Sequence, residues 1–302
     1  MKVVSPVNIF NSVTIIGELS SADSQLPEWD PQKSDYAHED EIKVLADKKK
    51  YKLAAQSVTA GLIPKDNPTI WVAAPLAEYA MFDLNNEYAP EITGSRVFFI
   101  SDANFLDTLF FQDIDGDTIT VELLRSDNTV IDTLAENIYD WEIDSFARYL
   151  FPTDPVLKPK IQFDFLELEL EAIKITISGT TTKCRYFVCG EKVDIGMTLC
   201  DGIGYTQNNF YKTTRDSWGN LVDSGQRLIE TVSLPVLDYN KTANINASKT
   251  SKLFGTPKLW IADDRDRKSV EFDFINLFAV FVSNNTVPGS TTTQKTLKLE
   301  GK

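Results

Sequence analysis

The stretch Lys160-Ile-Gln-Phe-Asp-Phe-Leu-Glu-Leu-Glu-Leu-Glu-Ala-Ile-Lys-Ile-Thr-Ile-Ser178 decides the class of fold. Ile161, Phe163 and Phe165 alternate with other residues, the period of a strand with one face buried. The apolar register then slips to Leu166, Leu168 and Leu170, and slips again to Ile173, Ile175 and Ile177. A one-residue slip exchanges the two faces of a strand. A bulge or bend near 165–166 and a break near Glu171-Ala172 are therefore expected. The same texture extends N-terminally, through Arg96-Val-Phe-Phe-Ile100, Thr108-Leu-Phe-Phe111, the alternating Ile119, Val121 and Leu123, and Thr129 to Leu134. Short strands separated by turn signals predict a β-sandwich over 71–185.

The flanks read differently. Before the sandwich, Val13 to Ile16, Glu41 to Val44 and Lys50 to Ala55 are short strand candidates, Ser20 to Ser34 reads as loop, and Pro64-Lys-Asp-Asn-Pro68 makes a turn before Trp71. This predicts a small β module over 1–70. After Gly190 glycine and turn residues become common. Strands are expected at Arg227–Leu234, Lys258–Ile261, 272–275, Phe278–Val282 and Thr296–Glu300. A helix is expected over 238–254, with Ile245 and Leu253 inward, stopped by Gly255-Thr-Pro257. The third domain, 186–302, therefore reads as α+β, and the chain as a whole as mainly β.

With 302 residues the chain can bury a sizeable core, and 42% apolar and 11% aromatic residues mark it as folded. A formal charge of -14 repels phosphates and anionic membranes, so no nucleic-acid partner is expected. The longest basic run, Lys48-Lys49-Lys50, reads as a turn tip. No apolar stretch reaches membrane-spanning length, and Met1-Lys2-Val-Val-Ser-Pro6 is not a signal peptide, so synthesis in a cytoplasm is expected. The three cysteines, Cys184, Cys189 and Cys200, read as free thiols buried as small hydrophobes. A zinc site would need another ligand, and the one histidine, His38, is distant in sequence.

Asp113-Ile-Asp-Gly-Asp117 has the look of a calcium loop, but its glycine is misplaced for an EF-hand, and Leu124 stands where the bidentate glutamate would be. Asp115-Gly116 between two apolar runs is a hairpin signal, and a cation site from Asp113, Asp115 and Asp117 is the alternative. Glu167, Glu169 and Glu171 share one face of an extended strand. Paired carboxylates can hydrolyse glycosides, but a solvated strand face is the better reading. There is no Gly-x-Ser-x-Gly elbow and no phosphate-binding loop, and Cys200-Asp-Gly-Ile-Gly-Tyr205 lacks the third glycine and the lysine. No cofactor and no catalysis are expected. Sugar rings stack an apolar C–H face on exposed aromatics, with carboxylates or amides for their hydroxyls. Trp29, between Glu28 and Asp30 with Pro27 and Pro31 just outside them, reads equally as an exposed ring beside carboxylates and as a staple holding a loop down; Tyr36 and Tyr51 are the further candidates, whereas Trp71, flanked by Ile70 and Val72, is expected in the core.

Two signatures abut at Trp71. Tyr36, Asp40-Glu41, Val44, Tyr51, Gly61, Pro64 and Trp71 together resemble a small chitin-binding-type carbohydrate module. Trp71-Val-Ala-Ala-Pro-Leu-Ala-Glu-Tyr-Ala-Met-Phe-Asp83 resembles a segment of minor tail and adsorption proteins of tailed bacteriophages. Four further segments keep that family's order: Asp140-Trp141 with Tyr149-Leu-Phe-Pro152, Cys189-Gly190 to Gly196, Thr214-Arg-Asp-Ser-Trp-Gly-Asn220 with Arg227, and Phe254-Gly-Thr-Pro-Lys-Leu-Trp260. The chain departs from the family at His38-Glu39-Asp40-Glu41 and Leu76-Ala77-Glu78.

The resemblance implies a jelly-roll or galactose-binding-like sandwich in a non-enzymatic virion protein. Its expected role is a tail appendage or sheath subunit assembling with copies of itself and other tail proteins, and contacting host-surface glycans. The alternatives are a carbohydrate-binding adsorption protein and a glycan-degrading enzyme.

Overall fold

A computed structural model describes residues 1–17, 19, 22–56, 60–85, 89–104, 106–140, 156–158, 160–166, 170–199, 201–215, 221–239, 255–262, 275–288 and 292–302. The protein is mainly β: the described residues form strands and short 3-10 turns. The chain divides into two compact units. One comprises Asn8–Phe105 and Leu109–Phe187, and the other Met1–Val7, Leu106–Thr108 and Val188–Lys302.

In the first unit a five-stranded antiparallel sheet runs in the order Val130–Asn137, Thr118–Leu124, Ala172–Ser178, Arg96–Ser101, Val13–Ile15. Burial alternates along Ala172–Ser178, Thr118–Leu124 and Arg96–Ser101, so one face of this sheet is the core face. A second sheet places Thr108–Gln112 between Lys160–Asp164 and Tyr186–Gly190. Every residue of its central strand is buried. Phe82 joins the two layers: its ring meets Phe98 of the first sheet at 5.0 Å and Phe187 of the second at 5.5 Å, both edge-on. Phe187 in turn meets Phe111 at 4.9 Å. The layering is sandwich-like.

The slip at 165–166 is a change of sheet rather than a bulge. Lys160–Asp164 ends in the three-stranded sheet, Ala172–Ser178 begins in the five-stranded one, and Leu166 is exposed between them. Glu167 and Glu169 lie outside the described residues, and Glu171 is exposed. Asp115-Gly116 is likewise a corner and not a hairpin. Thr108–Gln112 and Thr118–Leu124 belong to different sheets, and the Gly116 φ of +149° and the Asp113 φ of +52° bend the chain between them.

The second unit is one antiparallel sheet, in the order Lys192–Asp194, Lys2–Val4, Lys258–Ile261, Leu277–Pro288, Thr292–Gly301, Leu221–Tyr239, Met197–Thr198, with Gly204–Arg215 also paired to Leu221–Tyr239. Its core gathers Val3, Val232, Leu234, Trp260, Leu277, Phe281 and Leu299 among others. The Trp260 indole donates to the Ala279 carbonyl at 3.1 Å, which satisfies its one polar atom. Asp238 and Tyr239 end a strand where the expected helix would have begun, and 240–254 lies outside the described residues, as does much of 272–275.

Two glycines of the Cys-Gly…Gly motif are explained by close approach. A Cβ on Gly190 would lie 2.5 Å from the Ser5 carbonyl oxygen and 2.8 Å from Val4 Cγ1. A Cβ on Gly196, where φ is +134°, would lie 2.7 Å from Val236 Cγ1. Gly190→Ala is expected to cost about 1–3 kcal/mol in urea unfolding, because backbone stands in the way of the methyl.

The Lys295 ammonium and Asp238 carboxylate form a 2.5 Å ion pair with side chains only 3% and 2% exposed. Removing one partner strands the other charge in the core. Asp238→Ala is expected to cost about 3–5 kcal/mol, and a paired Asp238→Leu/Lys295→Met replacement much less, read as urea midpoints.

Cys184 and Cys189 are buried free thiols, as expected, and burial pushes both up to about 12. Cys200 lies outside the described residues. At pH 8 the native protein should therefore titrate at least two fewer thiols with a disulfide reagent than the urea-unfolded chain.

Candidate functional site

The aromatic residues singled out for sugar contact sit in the N-terminal part of the first unit. Glu41–Val44, Lys49–Leu53 and Trp71–Pro75 form a three-stranded antiparallel sheet. Residues 27–29 lie parallel along its edge: the Lys43 amide donates to the Pro27 carbonyl at 2.9 Å, and the Trp29 amide to the Lys43 carbonyl at 3.0 Å. Beneath this sheet Tyr36, Ile42, Tyr51, Leu53 and Trp71 make a small core, against which Trp29 packs half-buried.

Tyr36 and Tyr51 are not sugar platforms: they are 5% and 2% exposed. Tyr36 stands edge-on to Trp71 with ring centroids 5.6 Å apart, and its hydroxyl oxygen accepts the Asp30 amide at 2.9 Å. It therefore fastens the 30–36 loop. The Tyr51 hydroxyl donates to Asp47 at 3.0 Å, and burial beside that carboxylate holds the phenol protonated, well above its ordinary range. Both rings are too large to leave out of so small a core, and a pattern of tyrosines cannot reveal which of them the chain will cover. Trp71 is buried, as expected.

Trp29 alone of the three keeps exposed surface. The carboxylates of Glu28 and Asp30 flank it in exposed positions, and the exposed Lys33 ammonium lies 4.7 Å over the Tyr36 ring in the same loop. A partly exposed indole with carboxylates on the residues before and after it has the two elements a pyranose needs, an apolar face and partners for its hydroxyls, although one Asp30 oxygen already accepts the Gln32 amide at 2.8 Å. His38 is exposed, with Nδ1 3.3 Å from the Ala55 carbonyl oxygen.

The basic run is a turn, as expected, but its side chains are committed inward. Lys48 has a φ of +55° after the 3-10 turn Leu45–Asp47, and Lys49 opens the next strand. The Lys48 ammonium donates to the carbonyls of Phe10 at 2.7 Å and Asn11 at 2.8 Å, and also to that of Val13. It lies 5.4 Å over the Tyr79 ring, and burial lowers its pKa. Lys50 reaches Asp23 at 2.9 Å, and the second Asp23 oxygen accepts the Ala77 amide at 2.8 Å. These lysines tie residues 10–13 and 23 to the sheet. Sequence reasoning missed this role, because nothing local marks a lysine whose partners lie 27 to 38 positions away.

The proposed cation site does not form. The Asp113 carboxylate pairs with the Arg185 guanidinium at 3.3 Å. Asp115 accepts the Tyr139 hydroxyl at 2.8 Å and the Gly116 amide at 2.9 Å. Among the described residues no group of three or more metal-ligating side chains converges, Asp117 included. Asp113 and Asp115 are the polar joints of a sheet-to-sheet corner.

Trp29→Ala should lose the packing of a half-buried indole, about 1–2 kcal/mol, in the unfolding free energy. Lys48→Met should cost more than its partial exposure implies, about 2 kcal/mol, since three backbone carbonyls lose a charged donor.

No protein-family model and no curated protein matches the chain. Among solved structures, the lectin domain of lectinolysin complexed with Lewis B antigen is similar at 10% identity over 39% of this chain and 85% of that one, with a TM-score of 0.28. A histidine mutant of the lectin binding domain of lectinolysin complexed with Lewis b is similar at 8% identity over 35% and 72% of the two chains, with a TM-score of 0.24. Likenesses this slight assign neither a fold family nor a ligand to this chain.

Proposed function

We propose that this chain is a non-enzymatic structural protein of a bacteriophage tail, an appendage or sheath subunit built into the virion with copies of itself and other tail proteins. What supports the reading is the ordered series of motifs that resemble that family's, together with the work those residues do. Trp71 centres the small core, Phe82 joins the sandwich layers, Gly190 admits the Val4–Ser5 backbone, and Trp260 centres the second unit. Such residues define a scaffold rather than an active centre. Mass spectrometry of density-purified phage particles from the encoding genome tests it. The chain is expected among the tail proteins, in many copies per particle. Its absence from intact particles would sink the proposal.

A second reading, a carbohydrate-binding adsorption protein, is favoured by the half-buried Trp29 between two exposed carboxylates. A glycan array probed with the whole chain should then show binding that Trp29→Ala weakens about ten-fold or more and Tyr51→Phe leaves unchanged. Binding indifferent to Trp29 would remove this surface from consideration.

A further inference from the structure

The strand Leu277–Pro288 changes its surroundings halfway along. Leu277, Phe278 and Ala279 pair with Trp260, Leu259 and Lys258 on one side, and from Ala279 onward the strand pairs with Thr292–Gly301 on the other. A bulge between Phe281 and Ser283 follows. Beyond it, Ser283 to Pro288 pairs with Lys298 to Thr293 on one side and, among the described residues, with nothing on the other. Residues 282–287 are all exposed, Val282 by 45% and Val287 by 59%. On the neighbouring strand Leu297, opposite Asn284, and Lys295, opposite Thr286, are buried. Among the described residues the sheet therefore ends here, with a strand buried on one face next to one exposed on both.

An open edge presents outward N–H and C=O groups in alternation, a template for one more strand. Natural edges are guarded by charges, prolines or bulges. Here the bulge and Pro288 bound the segment from outside, and Ser283-Asn-Asn-Thr-Val287 between them carries no charge. We propose that this edge is an assembly surface and that its occupant is the same edge of a second copy, laid antiparallel across a two-fold axis. The proposal rests on the self-assembling part of the reading above.

Two features select a second copy. Serine, threonine and asparagine side chains each donate and accept, so an identical row facing itself can be satisfied, as a row of one charge cannot. Copies carrying a net charge of -14 repel, and an edge free of Asp and Glu is where they can approach without placing like charges opposite each other.

Light scattering after size exclusion, on the full chain of 33.9 kDa, is expected to show a mass of two copies or a multiple at high protein concentration. Hydrogen exchange should slow at the amides of 283–287 as concentration rises. Asn285→Asp/Val287→Asp puts like charges across the axis and should weaken self-association about ten-fold or more, with an unchanged melting curve confirming the fold. A single-copy mass at every concentration, an oligomer indifferent to the two aspartates, or protection confined to other segments would each overturn the proposal. Detection in phage particles is a separate readout. A chain present in virions whose self-association ignores this edge loses the inference alone, and a chain that pairs by this edge yet is absent from virions loses the tail reading alone.

Discussion

The edge-on stacking of Phe82 between Phe98 and Phe187 is the constraint on which the first unit depends. Each of its sheets has a continuous apolar face, and neither face can stay wet. A 3-10 turn, Ala77–Phe82, carries the ring that touches both layers, with Ala80 and Met81 buried beside it. The turn is anchored from outside by the Asp23 carboxylate, which takes the Ala77 amide, and by Lys48, whose ammonium lies over Tyr79. The segment resembling a phage-tail signature is thus the one that closes the sandwich. Its sequence answers to packing on both sides, which a binding loop would not require.

The second unit is built on another principle. One sheet carries long strands, the longest being Leu221–Tyr239, and its core face is an alternating row. Where that row reaches Asp238 and Lys295 it buries a charge pair instead of apolar side chains. Such a pair contributes little net stability against an apolar replacement, but it punishes any register that separates the partners. In the observed register Asp238 lies opposite Thr293 and Lys295 opposite Val236, so the buried pair is made diagonally, two residues along the neighbouring strand.

The candidate site was legible only in part. Trp29, which its sequence neighbours left open as either an exposed ring or a loop staple, is half-buried and packs against the small core. Tyr36 and Tyr51 looked equivalent in sequence, yet the three-stranded sheet is so small that its core must be made of whatever large rings lie near. The aspartates at 113, 115 and 117 have the composition of a cation loop, but the corner between two sheets turns Asp113 toward Arg185 and Asp115 toward Tyr139 and the Gly116 amide, and leaves Asp117 exposed.

What the sequence by itself determined is the strand texture: the alternation in Thr118–Leu124 and Ala172–Ser178, the break at Glu171, the burial of Trp71, Cys184 and Cys189. These follow from a period of two and from side-chain size, which are local properties. Only the tertiary structure decided which strands share a sheet. It made Asp115-Gly116 a corner instead of a hairpin and Asp164 the end of one layer, and it carried Leu221–Tyr239 through Asp238, where a helix was expected to begin. Pairing is settled by backbone hydrogen bonds between segments far apart in the chain and by which apolar faces can cover one another, and no local pattern contains either.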